Sequence, residues 1–392
     1  MISFPWISND NRKSFIKKII QRENLNIRLI EDSVLSTIYY YITRSCNLSC
    51  SHCWVSANSE FLFTEPCLSL STVIGFITEA ISLGLKKIKI TGGEPLLDHK
   101  ILDLIKYLSK ETNLEIEIET NGTLMNTTIV KVLSELKKVF ISISLDGLTE
   151  ESNNFLRKGS VLSIVLHTIE QLHQSGIIVS INTVLHRQNL NEIESLIAYS
   201  EKLKIKNHRF IISLQKIGRG KNCENDELSW EEIVKACIII YGLKMRGYNQ
   251  INLGTSHSTL PPALQPLEIL DYKNCGWGTS LCGILSNGDI SICGGAYESL
   301  SLIAGNVKDG LSKIWLESPF FKKLRSIKPI DYEGICGNCL FSGLCRGMCR
   351  INAFATYGKL TSPYPLCQLA YENGSFPEDL MISPLKDCSI KK

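Results

Sequence analysis

The chain has 392 residues, 44% of them apolar, enough to bury a large core and to fill two domains. Its formal charge is only +3, with Lys and Arg spread along the length, which argues against a dedicated nucleic-acid surface. Fifteen cysteines in a chain of this size point to metal or catalytic chemistry in a reducing compartment rather than to a disulfide scaffold.

In chain order, the N-terminal stretch lacks a secretory h-region, and no run anywhere approaches the roughly 18 apolar residues of a membrane span. A cytoplasmic protein without membrane contact is expected. Residues 1–36 form an extension with an amphipathic segment at 11–22 and a short strand at 26–30, and their pattern carries no functional signal. From residue 37 to about 215 a strand-then-helix unit repeats. Strands are expected at 37–43, 86–91, 114–119, 138–145, 177–184 and 208–214. Helical periodicity fills 69–83, 99–110, 127–137, 161–174 and 190–203, and a sixth helix at 229–246 opens on a Ser229/Glu232 capping box. Such alternation demands parallel strands with right-handed crossovers.

The strands alternate where fully buried parallel strands would be apolar on both faces. Lys87, Lys89 and Thr91 share one face, as do Glu115, Glu117 and Glu119, Ser142 and Ser144, and Ser180 and Asn182. Facing inward, these sets make a polar lumen; a one-residue register error would reverse the faces.

The first strand runs into Cys46-x3-Cys50-x2-Cys53. Three thiolates on one short loop can hold three irons of a [4Fe–4S] cubane and leave the fourth open to an exogenous ligand. Structural zinc wants four ligands, and His52, wedged between Cys50 and Cys53, is badly placed to be the fourth. This loop, with Gly92-Gly93-Glu94-Pro95 after the second strand, resembles the radical S-adenosylmethionine (SAM) enzymes. The resemblance implies a partial (β/α)6 barrel with its site at the C-terminal ends of the strands, and chelation of the SAM amino and carboxylate groups by the open iron. It further implies reductive cleavage of SAM and hydrogen abstraction from substrate. Gly92, Gly93, Glu94 and Pro95 would hold the methionine end of SAM, with the Glu94 carboxylate on its ammonium. Asn121, in the Thr120-Asn121-Gly122 turn, and Ser144 and Asp146, in Ser144-Leu145-Asp146-Gly147, would add contacts. Arg157 is a candidate for the SAM carboxylate, with a solvated helix-end Arg as the alternative. Gly218-Arg219-Gly220-Lys221 lacks the spacing of a phosphate loop and reads as a basic hinge closing the barrel.

Beyond residue 250 periodicity breaks and cysteines crowd in: Cys275, Cys282 and Cys293, then Cys336, Cys339, Cys345, Cys349 and Cys367. Four closely spaced Cys in an isolated domain suit zinc as well as an iron–sulfur cluster. Behind this barrel, Gly288-x4-Cys293 and the C-x2-C-x5-C-x3-C run resemble the SPASM domain, which implies two auxiliary [4Fe–4S] clusters and three clusters in all. By resemblance to anaerobic sulfatase maturases, Cys275, Cys282, Cys293 and Cys349 would ligate the first, and Cys336, Cys339, Cys345 and Cys367 the second. Eight cysteines then leave no auxiliary iron open; if Cys275 or Cys282 is a bystander, the first cluster has an open iron.

The division implied is an extension at 1–36, a barrel at 37–247 and a SPASM domain at 248–392. Cys67 and Cys223, in loops on the open side of the barrel, are candidate hydrogen donors to a substrate radical, with inert thiols as the alternative. The resemblance implies a ribosomally made precursor peptide as substrate, modified by a thioether or carbon–carbon crosslink or by epimerisation. It also implies an external one-electron donor of the flavodoxin or ferredoxin type. The alternatives within the class are a protein-oxidising maturase and a small-molecule SPASM enzyme of the late alternative haem-synthesis type, which the Cys345–Cys349 segment also resembles.

Overall fold

A computed structural model describes residues 4–6, 34–212, 214, 216–254, 260–266 and 273–383. The expected helix at 11–22, the strand at 26–30 and Cys388 lie outside the described residues. The fold is an α/β partial barrel extended by an irregular cysteine-rich module.

Six parallel strands form as expected: β1 (Thr37–Thr43), β2 (Lys87–Gly92), β3 (Glu115–Thr120), β4 (Val139–Ser144), β5 (Ile178–Val184) and β6 (Asn207–Ile211). Their helices are α2 (Leu70–Ser82), α3 (Ile101–Glu111), α4 (Thr127–Ser134), α6 (Leu162–Gln174), α7 (Ile193–Lys202) and α8 (Trp230–Met245). The periodicity missed a one-turn α1 (Phe61–Thr64) and α5 (Glu150–Arg157), whose Thr149/Ser152 capping box starts a helix too polar to announce itself. Ser69, Asn126 and Ser229 cap α2, α4 and α8 by accepting a backbone N–H, which fixes where each helix begins.

The sheet does not stop at the expected domain boundary. A seventh parallel strand, β7 (Ile251–Gly254), adds beside β6. On the other side β8 (Leu281–Ile284) pairs parallel to β1, and an antiparallel meander continues through β9 (Asp289–Ser291) and β10 (Ile303–Asn306). Among the described residues ten strands run β10-β9-β8-β1-β2-β3-β4-β5-β6-β7, so residues assigned to the second domain flank the barrel strands on both edges. The N-terminal tip also belongs to the body: buried Phe4 stacks on Trp6 and meets Trp230 of α8 edge-on.

Register settles the faces. Ile88, Ile90, Ile116, Ile118, Ile141, Ile143 and Ile181 are fully buried under the helices. Lys87, Lys89, Glu115, Glu117, Ser142, Ser180 and Asn182 line a lumenal cavity of about 430 Å³. Buried charges there are paired: Lys89 Nζ lies 3.1 Å from Glu117 and 3.2 Å from Glu119, and Lys87 also reaches Glu117. Burial alone would raise the Glu117 carboxyl, but Lys89 and Lys87 outweigh it and bring it down to about 2. Beyond β10 the chain forms α9 (Leu311–Glu317), α10 (Pro319–Ser326) and four short helices, α11 (Gly334–Gly337), α12 (Ser342–Cys345), α13 (Arg350–Tyr357) and α14 (Pro365–Glu372). Among the described residues no helix is long and apolar enough to cross a membrane.

Candidate active site

The C-terminal ends of the strands open into a cavity of about 190 Å³. Cys46, Cys50 and Cys53 all line it, with Gly92, Gly93, Asn121, Ser144 and Arg157. The structure thus brings together residues that lie more than a hundred positions apart.

The cysteine loop is held from several sides. Backbone N–H groups of Leu48 and Ala57 each donate to a cysteine sulfur, of Cys46 and Cys53 respectively, at 3.4 Å. The Gly93 and Glu94 amides donate to Thr43 and Ser45 carbonyls at 2.7 Å. This contact is why the turn needs glycine: a Cβ on Gly92, at φ +142°, or on Gly93 would sit 2.1 Å from the Thr43 or Ser45 oxygen. Arg219 lines the cavity, donates from Nε to the Cys50 carbonyl at 2.8 Å and from Nη1 to the Ala57 carbonyl at 2.6 Å. The Arg219 amide also donates to the Cys53 carbonyl at 3.0 Å. The expected basic hinge is therefore a clamp on the cysteine loop, which sequence reasoning missed because the partners are backbone atoms.

Glu94 does not line the cavity. Its side chain is fully buried, accepting from the Leu96 amide at 3.1 Å, the Thr120 hydroxyl at 2.7 Å and the Asn121 amide at 2.8 Å. Burial raises its carboxyl to about 7 even though these three donors oppose the shift. These contacts tie the turn after β2 to the turn after β3 and take up three of the roughly four acceptor sites of the carboxylate. Pro95 is likewise buried and opens a 3-10 turn. Asn121, by contrast, faces the cavity, and its Nδ2 donates to Asn47 Oδ1 at 3.0 Å and lies 3.9 Å from Cys46 Sγ.

Arg157 is no solvated helix end: it is buried, at the end of α5, with Nε 2.9 Å from Asp146 Oδ2 in an ion pair. Burial would lower the guanidinium, and Asp146 more than compensates. Asp146 is itself wholly buried, accepts the Val184 amide at 2.8 Å, and reaches the cavity only through Arg157. Its role is to aim that Arg. Glu119 and Asn182 form the cavity floor above the lumenal charges; Glu119 accepts from Lys89, Thr91 and Asn182. Their strand alternation carried the signal for this floor. His52 also lines the cavity, and burial drives its imidazole down to about 4, so it is neutral there.

Neither candidate hydrogen donor lines the cavity. Cys223 is buried behind its apolar wall with Leu156, Val184 and Leu214. Cys67 lies off to one side, beside Thr43, with Asp98 and Lys100 as charged neighbours.

In the C-terminal module Cys336, Cys339, Cys345 and Cys367 line one small cavity. The Phe341 amide donates to Cys339 Sγ at 3.4 Å and the Tyr364 amide to Cys336 Sγ at 3.2 Å. Arg350 lies beside them, buried, with Nε and Nη2 lacking hydrogen-bond partners. A buried guanidinium with idle N–H groups calls for negative charge nearby. A cysteine-ligated iron–sulfur cluster supplies it, so these residues fit that group. Cys275, Cys293 and Cys349 neighbour one another electrostatically; the charged neighbour of Cys282 is Arg325 instead.

Comparison with known proteins agrees with this layout. The Radical SAM superfamily model matches residues 40–199, and that of the SPASM iron-sulfur cluster-binding domain matches 275–340. An AdoMet-dependent heme synthase of Methanosarcina barkeri is 28% identical over 84% of this chain and 95% of its own length. Mycofactocin maturase MftC of Mycobacterium ulcerans is 26% identical over 84% of this chain and 87% of its own. The crystal structure of Streptococcus suis SuiB bound to precursor peptide SuiA superposes with a TM-score of 0.68, at 18% identity, over 88% of this chain and 78% of that one, a likeness of fold.

Proposed function

Because the chain belongs to the radical SAM superfamily and carries a C-terminal SPASM domain, we propose that it cleaves SAM reductively and abstracts a hydrogen atom from a ribosomally made precursor peptide, leaving a crosslinked or epimerised residue. The observation that carries this reading is the convergence of Cys46, Cys50 and Cys53 on one cavity with the glycine turn and Arg157. A cluster on these three thiols would supply the electron that splits SAM and so the radical that attacks substrate.

The residues around it have definable work. Arg157, held by Asp146, offers a cation to the SAM carboxylate. Gly92 and Gly93, packed on the backbone of the cysteine segment, line the cavity where the methionine end would lie, and Ser144 and Asn121 offer a hydroxyl and an amide. Glu119 and Asn182 present polar groups to substrate from the floor. The SPASM module, holding further clusters, would pass electrons between the substrate and an external flavodoxin- or ferredoxin-type donor.

A single experiment tests the core. Anaerobically reconstituted Cys46→Ala, Cys50→Ala and Cys53→Ala variants should each fold, keep auxiliary iron and make no deoxyadenosine from SAM; production at the wild-type rate in all three would overturn the reading. A second reading has its own support, since the heme synthase relative aligns over 95% of its length. On that reading the substrate is a tetrapyrrole. Deoxyadenosine formation stimulated by an iron coproporphyrin and not by a leader-bearing peptide would favour it.

A further inference from the structure

Counting cysteines puts four on the first auxiliary site, but the sheet divides them. Residues in register on paired strands project to the same face. In the β1/β8 pair Cys282 is in register with Ile38, and Gly283 with Tyr39. Tyr39 faces the lumen, where Lys89 Nζ lies 5.3 Å from its ring centroid. Tyr40 faces the opposite way and packs edge-on against Phe76 of α2 in the helical layer. Cys282 shares that outer face, wholly buried with Ile38 and Ile284. Arg325, beside it, lies over the Trp315 ring of α9 at 4.3 Å.

Cys293 lies on the inner face. A Cβ on Gly283 would point at it, 2.7 Å from its Cα, and Gly294 next to it lies against the Tyr41 ring. Cys275 is near Tyr39, and Cys349 and Cys275 both neighbour Cys293; Gly295, two residues past Cys293, packs against Ile351, two residues past Cys349. To join them Cys282 would have to turn through the sheet, and a one-residue slip of β8 would break its ladder with β1. Among the described residues no other cysteine replaces it: Cys336, Cys339, Cys345 and Cys367 line the second auxiliary cavity, Cys237 is buried in α8, Cys223 lies with Leu156, Val184 and Leu214, and Cys67 lies beside Thr43.

Resting on the reading of this module as a holder of iron–sulfur clusters, we propose that the first auxiliary site draws three cysteines from this chain, Cys275, Cys293 and Cys349, that Cys282 is a core thiol, and that one iron there is open to an exogenous thiolate. Thiolate is the donor these irons favour. The incoming thiol releases its proton to solvent and bonds to iron through a sulfur lone pair, displacing solvent, with no electron transferred. Its source is a cysteine of the substrate or a free small thiol.

The test uses the full chain carrying Cys46→Ala, Cys50→Ala and Cys53→Ala, so that only auxiliary clusters are read. Adding Cys293→Ser should remove about four irons per chain, whereas adding Cys282→Ser, or the apolar Cys282→Val, should leave iron content and the reduced EPR spectrum unchanged. β-Mercaptoethanol or an acetyl-Gly-Cys-Gly amide should then shift that spectrum, and a serine analogue of the peptide should not. A shift with the peptide alone selects a substrate cysteine, and a shift with β-mercaptoethanol identifies a site that takes small thiols. Loss of the same iron in both Cys282 variants, or a spectrum indifferent to both thiols, overturns the proposal. Full iron retention in Cys293→Ser would instead overturn the cluster reading beneath it.

Discussion

Two buried carboxylates show how burial and partners set the chemistry of single residues here. Glu94 is surrounded only by donors, so its ionised form is hydrogen-bonded but has no cation beside it, and burial leaves it near 7. Glu94→Gln would swap one acceptor oxygen for an NH2 group facing backbone and hydroxyl donors. An unmet buried hydrogen bond costs about 1–3 kcal/mol. Part of that should appear as roughly tenfold weaker SAM binding by calorimetry, since the two turns that Glu94 joins flank the same cavity; unchanged affinity would refute its positioning role. Glu117 has cations instead and is held near 2, against an ordinary value of 4.5. A carboxyl held low adds stability above its unfolded value and loses it as pH falls towards the folded one. Glu117→Gln should therefore cost about 3 kcal/mol at neutral pH. The deficit should shrink as pH drops from 4.5 towards 2, checked by urea unfolding of the cluster-free chain at pH 7 and pH 3. A deficit independent of pH would mean that the Lys87–Glu117–Lys89 network contributes through shape rather than charge.

At the scale of elements, what the sequence made legible was what repeats or pairs locally. Six strands and their helices were readable from periodicity, and the lumen from the alternation of Lys, Glu and Ser with Ile, since period two fixes a face once the strand is known. The cysteine loop and the glycine turn were readable as motifs. What escaped depends on contacts without local pattern. Glu94 reads as a ligand-binding carboxylate, and only the fold shows that it also joins Thr120 and Asn121 of the next turn. Asp146 reads by resemblance as a SAM contact, and only the fold shows it buried as the ion-pair partner of Arg157. Arg219 sits in a glycine-rich run that says only "loop", yet its guanidinium spans two carbonyls of the cysteine segment. Lys carries charge but not this fork of donors. Arg219→Lys should thus preserve charge, loosen the loop, and speed iron loss from the SAM-site cluster severalfold under chelator, with auxiliary iron unaffected. Equal loss rates in variant and wild type would reduce Arg219 to a surface cation.

For the whole molecule, the expected boundary at residue 247 was drawn where helical periodicity stops, but hydrogen bonding does not stop there. β7 completes one edge of the barrel sheet, and β8 covers the other along Thr37–Tyr40, with the Ser36 and Thr37 amides both donating to the Ser280 carbonyl at 3.0 and 2.9 Å. β1 is thus an interior strand, flanked by β2 and β8, and its tyrosines pack against both modules: Tyr41 meets Trp54 of the cysteine loop and Tyr297 of the C-terminal module, each at 6.1 Å. Removing the C-terminal module would turn β1 into a bare edge with unpaired N–H and C=O groups beside exposed aromatic rings, a template for aggregation. A chain ended at residue 266, which keeps β7, should therefore be insoluble or oligomeric when expressed alone, even with the whole cysteine loop and glycine turn present. Coexpression with the remaining 267–392 segment should rescue it if β8 can still dock on β1. A monomeric fragment that reconstitutes the SAM-site cluster would show instead that the barrel stands by itself and that the shared sheet serves only to hold the auxiliary site against it.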